Sequence, residues 1–205
     1  MDFETFGQNV QSCAIIDCSY LTFDWDRFTS DNPYTIKELL DMALTSKLSV
    51  KKQVEDYGFV VEKSSVEWWG TQGGDARQKI KPLNTDISIP EFLDQILTAA
   101  ERHKIKYWWS RSNTFDPIIL ARVADVLGSK NRMDSALPFW GVRDIRTFID
   151  AKLSFNNKKN GFCPIKNEDK WANEFKQHSS AHDIMADVLR LQTLTRLEND
   201  LDVPE

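Results

Sequence analysis

Met1-Asp-Phe-Glu-Thr-Phe-Gly7 opens the chain, and a stretch rich in β-branched and aromatic residues follows from Cys13 to Phe23. Successive side chains of a strand project to opposite faces, so Asp2 and Glu4 point the same way with little between them. Like charges that close repel unless a cation sits between them. A D-x-E pair alone is common on solvated strands. Its meaning depends on what the rest of the chain brings to it.

Cys13 to Phe23 reads as a strand through Ile15, Ile16, Tyr20, Thr22 and Phe23. Thr35 to Leu44 carries Ile36, Leu39, Leu40 and Ala43 at helical spacing. Leu48 to Val54 and Phe59 to Val61, joined through Glu-Asp-Tyr-Gly58, read as a hairpin in which Gly58 supplies a positive φ. Ile89 to His103 is a helix with Phe92, Ile96, Leu97 and Ala100 on one face and Pro90 in its first turn. Ile105 to Trp109 reads as a buried strand. Pro117 to Leu127 is a helix with Asp116 just before it and Gly128 as its stop. Ala181 to Leu197 is the last long helix, striped by Ile184, Val188, Leu191 and Leu194, and the acidic tail 198–205 is expected to fray. Strands first and helices interleaved later point to an α/β or α+β fold. No repeat, low-complexity tract or Gly/Ser linker divides the chain, so residues 1–205 read as one domain.

The 205 residues hold 31 Asp and Glu against 26 Lys and Arg, with 41% apolar and 28% charged residues, an ordinary globular composition. Apolar runs such as Ile118–Ala121 are too short to span a bilayer, and no secretory leader is expected. Three dispersed cysteines, Cys13, Cys18 and Cys163, argue against a disulfide framework and for a reducing, cytoplasmic compartment. The net charge of −5 excludes a broad basic face that coats nucleic acid. It does not exclude a small acidic cleft that grips one strand end.

Two further acidic elements accompany D-x-E. Asn113-Thr-Phe-Asp116-Pro117 follows the apolar Tyr107-Trp108-Trp109, and Asp116 by itself reads most simply as a helix N-cap. In His182-Asp183-Ile-Met-Ala-Asp187, the two aspartates stand at i,i+4, ordinarily a solvated helix face. His182 and Asp187 would lie about 140° apart on a regular helix. The histidine must therefore sit at or before the first turn for both to reach one site, and Ser179 or Ser180 offers the N-cap that puts it there.

D-x-E on an N-terminal strand, an Asp opening a mid-chain helix and H-x4-D on a C-terminal helix together resemble the DEDDh 3′–5′ exonucleases of the RNase T superfamily. Val66-Glu-Trp-Trp69-Gly-Thr-Gln72, followed by Ala76-Arg77, is similar to the W-W-x-x-Q…A-R signature of the exoribonuclease-like branch that includes phage exonucleases. Trp140-Gly-Val-Arg143-Asp144-Ile-Arg146-Thr147 and Ala181-His182-Asp183 are similar to the matching phage segments. The likeness runs from Asp2 to Leu194, with gaps at 129–137 and 156–169.

The resemblance implies a ribonuclease H-like α/β fold, a mixed central sheet flanked by helices. Relatives carry several apolar residues before D-x-E, so the first strand is expected to be truncated here. By the same likeness Asp2, Glu4, Asp116 and Asp187 hold two divalent cations about 3.5–4 Å apart. Oxygen-only ligands select Mg²⁺ or Mn²⁺. His182 is the implied general base. Phe3, Thr5, Phe6, Trp69, Gln72 and Asn113 are the implied substrate contacts, with aromatic faces for stacking. Arg77, Arg111, Arg143 and Arg146 are candidate phosphate contacts, and Asp144 a tether for the site. The expected reaction releases nucleoside 5′-monophosphates from the 3′ end of single-stranded DNA. The same site on RNA is the alternative, and a catalytically impaired nucleic-acid-binding relative a third reading. Relatives are often homodimers, and a phage-encoded member would work in the bacterial host cytoplasm.

Overall fold

The computed structural model describes residues 1–154, 163, 175, 176 and 178–203. Strands β1 (Asp2–Thr5) and β2 (Ile15–Tyr20) pair antiparallel, and β3 (Leu44–Lys47) adds antiparallel to the other edge of β2. Strands β4 (Trp108–Ser110) and β5 (Val142–Asp144) pair in parallel as a separate piece. The Met1 nitrogen donates to the Trp109 carbonyl at 2.9 Å and bridges the two pieces, giving the spatial order β3-β2-β1-β4-β5. The fold is mixed α/β, in agreement with the ribonuclease H-like expectation. One correction applies: the central sheet is divided into a three-stranded and a two-stranded part among the described residues.

The α-helices are α1 (Ile36–Met42), α2 (Val50–Tyr57), α3 (Lys63–Thr71), α4 (Gly74–Lys79), α5 (Ile89–His103), α6 (Asp116–Val126), α7 (Lys130–Ala136), α8 (Ile145–Lys152) and α9 (Ser180–Glu198). Alternation along β1 and β2 sorts two layers of them. Phe3 turns toward α5 and meets Phe92 edge-on at 5.7 Å, in a core with Ile16, Cys18, Leu97 and Leu120. On the other face α9 closes a second core of Phe28, Leu39, Ile149, Met185 and Leu191. The polar residues of β1 and β2, including Asp17 and Ser19, face α9.

Several elements differ from the sequence reading. The expected Leu48–Val54 hairpin arm is helix α2, capped by the Ser49 hydroxyl. Val50, Gln53 and Tyr57 turn inward at helical spacing while Lys51, Lys52, Glu55 and Asp56 face out. Gly58 does adopt a positive φ of 69°, but to end this helix. β4 begins at Trp108 because Lys104 and Ile105 are still closing α5, with the Ile105 N–H on the Ala100 carbonyl. β2 is shorter than expected, ending at Tyr20. The acidic tail is pinned through Asp202. Arg196 donates to the Asp202 carbonyl at 2.5 Å and also to the Phe28 and Ser30 carbonyls. Residues 204 and 205 lie outside the described residues.

Gln53 shows how local chemistry holds β1 and β2 in register. A bulge falls between Glu4 and Thr5, where Thr5 pairs with Ile15. The fully buried Gln53 amide then serves Ile15 as a substitute strand, accepting its N–H at 2.8 Å and donating to its carbonyl at 2.7 Å. Gln53→Ala strands two buried backbone groups, each costing about 1–3 kcal/mol. A loss of about 2–6 kcal/mol is expected in urea denaturation, and a loss near zero would show that Ile15 finds other partners.

Beside Met1 the divided sheet leaves an apolar groove of about 760 Å³, walled by Leu21, Phe23, Ile105, Trp109 and Phe148. No helix among the described residues is long and apolar enough to cross a membrane.

Candidate active site

The site forms where β1 faces the start of α9. Asp2 and Glu4 share one face of β1, and Asp183 in the first turn of α9 comes down on them. Carboxylate oxygens of Asp2, Glu4 and Asp183 all lie within 4.8 Å of one another. A chain of hydroxyls fixes the approach of α9. Ser180 donates to Asp17 Oδ1 at 2.6 Å, so it must accept from Ser19 at 2.7 Å, which in turn accepts from Thr45 at 2.7 Å. Ser179 occupies the N-cap position and α9 begins at Ser180, which puts His182 in the first turn.

Asp116 is the first helical residue of α6, with Phe115 in the cap position. This corrects the N-cap reading. Its buried carboxylate points inward and accepts the Phe3 N–H at 3.0 Å, tying α6 to β1. Asp187 lies one turn further along α9, buried and ion-paired with Arg111 and with Arg190, the latter at 3.0 Å. The structure therefore gathers Asp2 and Glu4 with Asp183, sets Asp116 against the same strand, and holds Asp187 between two arginines. Asp183 is the carboxylate that sequence reasoning left on a solvated face. Its i,i+4 spacing from Asp187 was the signal that both share one side of the helix.

Crowding shows in the protonation of these groups. Burial, reinforced by Asp116, Glu4, Asp183 and Asp187, raises Asp2 well above the usual carboxylate range. Burial and the neighbouring Asp17 push Glu4 up to about 8, against the opposing charge of Lys79. Asp183 rises to about 6 through burial and Asp187. Asp116 rises to about 6 through burial, although the Phe3 N–H opposes it. Carboxylates this close and this costly to ionise are what a hard divalent cation stabilises. The donor set, all carboxylate oxygen, fits Mg²⁺ or Mn²⁺.

His182 is half-buried, with its ring edge-on to Phe175 at 5.7 Å. Burial, then Lys176 and Lys79, lowers its pKa below the usual value, so it is neutral at neutral pH. Its Nδ1 accepts the Lys176 N–H at 3.5 Å, a contact at the limit of hydrogen bonding.

The structure places the expected aromatic contacts among buried side chains. Phe3 is buried on the opposite face of β1 from the carboxylates, and Phe6 and Trp69 are also buried, with the Trp69 Nε1–H on the Thr5 carbonyl at 3.0 Å. None of the three has a free face. Strand alternation puts Phe3 there, and the same rule applied to Phe3 would have excluded it. Trp68 is 45% exposed and stands against His178 at 4.8 Å. Thr5 Oγ1 donates to the Gly7 carbonyl at 2.6 Å, and the Gln72 amide turns back to the Trp68 carbonyl at 3.1 Å. Asn113 is exposed, its N–H bonded to Asp144 at 2.9 Å, while Asp144 also caps α8 through the Thr147 N–H. Asp144 thus tethers the loop before Asp116. Arg143 is used locally, donating to the Trp140 carbonyl and stacking over Tyr107.

A family model described as the Rv2179c-like 3′–5′ exoribonuclease domain matches residues 1–190. The chain is also similar to an exodeoxyribonuclease of Enterobacteria phage T4, 29% identical over 218 residues that cover 98% of this chain and 90% of the relative.

Proposed function

We propose that this chain, which belongs to the Rv2179c-like 3′–5′ exoribonuclease domain family, removes nucleotides from the 3′ end of a single strand with divalent cations held by its acidic cluster. The observation that carries the reading is the convergence of Asp2, Glu4 and Asp183 within 4.8 Å at the turn of α9 that bears His182. These three, with Asp116 and Asp187, are the residues that would hold Mg²⁺ or Mn²⁺. When bound, such ions acidify a water and neutralise charge on the phosphate.

The protein's own groups do the rest. His182, neutral at neutral pH, accepts the proton of the attacking water. Arg111 and Arg190 pair with Asp187 and fix its carboxylate in its buried position. Trp68 offers the open aromatic face on which a terminal base can stack.

Single-stranded DNA is the first reading, supported by the likeness to the phage exodeoxyribonuclease. RNA is the second, supported by the family description. Matched DNA and RNA oligonucleotides labelled at the 3′ end, incubated with Mn²⁺ or with EDTA, test both on one gel. Metal-dependent release of mononucleotide is expected, faster from DNA. Binding without release of either would overturn the exonuclease reading.

A further inference from the structure

At the rim of the acidic cluster stands an ammonium for which none of the described residues is aligned to accept a hydrogen bond. Lys79 is the last residue of α4, and its stem is 24% exposed, but Nζ is shielded from solvent and makes no hydrogen bond among the described residues. Its ion pair is with Asp17, at 2.9 Å. Asp17 is 2% exposed, lies opposite Glu4 in the β1–β2 pairing, and has its other oxygen fixed by Ser180. The carboxylate is a rigid post.

An ammonium carries three N–H donors. Buried donors without acceptors are rare and costly. Asp17 balances the charge of Lys79 and can engage at most one of its three donors. A simple counter-ion for the cluster would lie between the clustered carboxylates. Lys79 instead pairs with Asp17 and forms no ion pair with Asp2, Glu4 or Asp183 among the described residues. Its field nevertheless reaches Glu4, Asp183, His178 and His182. Arg111 and Arg190 are both engaged by Asp187. Lys79 is thus a cation beside the site whose donors await an anion, and the anion that an exonuclease brings there is a phosphate.

We propose that Lys79, held by Asp17, is a phosphate-binding residue of this site that donates to a non-bridging oxygen of the 3′-terminal nucleotide's phosphate. The identity of the anion rests on the exonuclease reading; the presence of an anion site does not.

The test uses thymidine 5′-monophosphate and thymidine as probes, titrated by calorimetry into the whole chain with Ca²⁺, for wild type, K79Q and K79R. K79Q is expected to weaken the monophosphate about tenfold, about 1.4 kcal/mol, while thymidine binding stays unchanged. K79R is expected to keep most of the affinity. For a single-stranded oligonucleotide, K79Q should reduce the slope of log K against log salt by about 0.7, one phosphate contact fewer. A purely structural lysine would instead lower the melting temperature and shift both probes alike. If K79Q melts below the assay temperature, K79M, which keeps the stem, is read in its place. Monophosphate binding that is indifferent to Lys79 overturns the proposal. Hydrolysis is scored separately. Lys79-dependent binding without strand cleavage removes the exonuclease reading and keeps the anion site; cleavage with unchanged K79Q binding does the reverse.

Discussion

Asp2→Asn is expected to abolish nucleotide release and, in the same sample, to raise the melting temperature of the metal-free protein. Asp2 stands among four other carboxylates, Glu4, Asp116, Asp183 and Asp187, each of which opposes its ionisation, and burial opposes it further. Asparagine keeps the shape and removes the charge, so repulsion falls across the whole cluster. The same change takes away one of the oxygens proposed to hold the cation. A loss of at least about a thousandfold in kcat, equivalent to about 4 kcal/mol of transition-state stabilisation, should accompany a higher melting temperature. Activity on a gel and unfolding followed by circular dichroism read the two effects. An active variant would remove Asp2 from the site. An inactive variant with a lowered melting temperature would mean that its carboxylate stabilises the metal-free fold.

The second large effect couples pH to the cation. Asp2, Glu4, Asp116 and Asp183 all have pKa values raised by folding, Glu4 to about 8 and Asp116 and Asp183 to about 6. Between the ordinary carboxylate range and these values the folded chain binds more protons than the unfolded chain. Stability therefore falls as pH rises through that window. For Glu4, Asp116 and Asp183 the contribution is fully present at about pH 4 and lost above about pH 8. A divalent cation held by the cluster, as proposed, would replace the missing protons. Saturating Mg²⁺ or Mn²⁺ at about a hundred times its dissociation constant adds about 2.7 kcal/mol, which for a chain of this size raises the melting temperature by about 5–10 °C at pH 8. At pH 5 protons compete for the same oxygens and the rise should be much smaller. An equal rise at both values, or none at pH 8, would show that the cluster does not take the ion.

Much of the fold was legible because the periodicities were strong. Ile89–His103 is the expected helix to the residue, with Ser88 as its cap and Phe92, Ile96 and Leu97 buried. Gly128 ends α6 with a φ of 63°, as its position after Leu127 implied. What failed was ambiguous locally. Val50 and Val54 stand four apart, a spacing that suits one face of a strand as well as one turn of a helix, and the buried Gln53, a polar residue in the core-facing position, hid the helical face. At the site, the strand rule alone aligned Asp2 with Glu4. It could not show that Asp183 comes nearest to them, because that depends on how far along its axis α9 docks on β2. Ser180 and Asp17 fix that register, and hydrogen bonds between residues 163 positions apart leave no trace in local sequence. Lys79 was invisible for the same reason. Its partner Asp17 lies on a strand that read only as β-branched and aromatic.

The groove beside Met1 has a practical consequence for anyone who purifies this protein. An open apolar trough of about 760 Å³, walled by indole and phenyl rings, is a receptor for solvatochromic dyes of the kind used to report unfolding. The native protein should therefore light such a dye before it melts, and detergents or organic additives carried through purification should lodge there and shift the apparent transition.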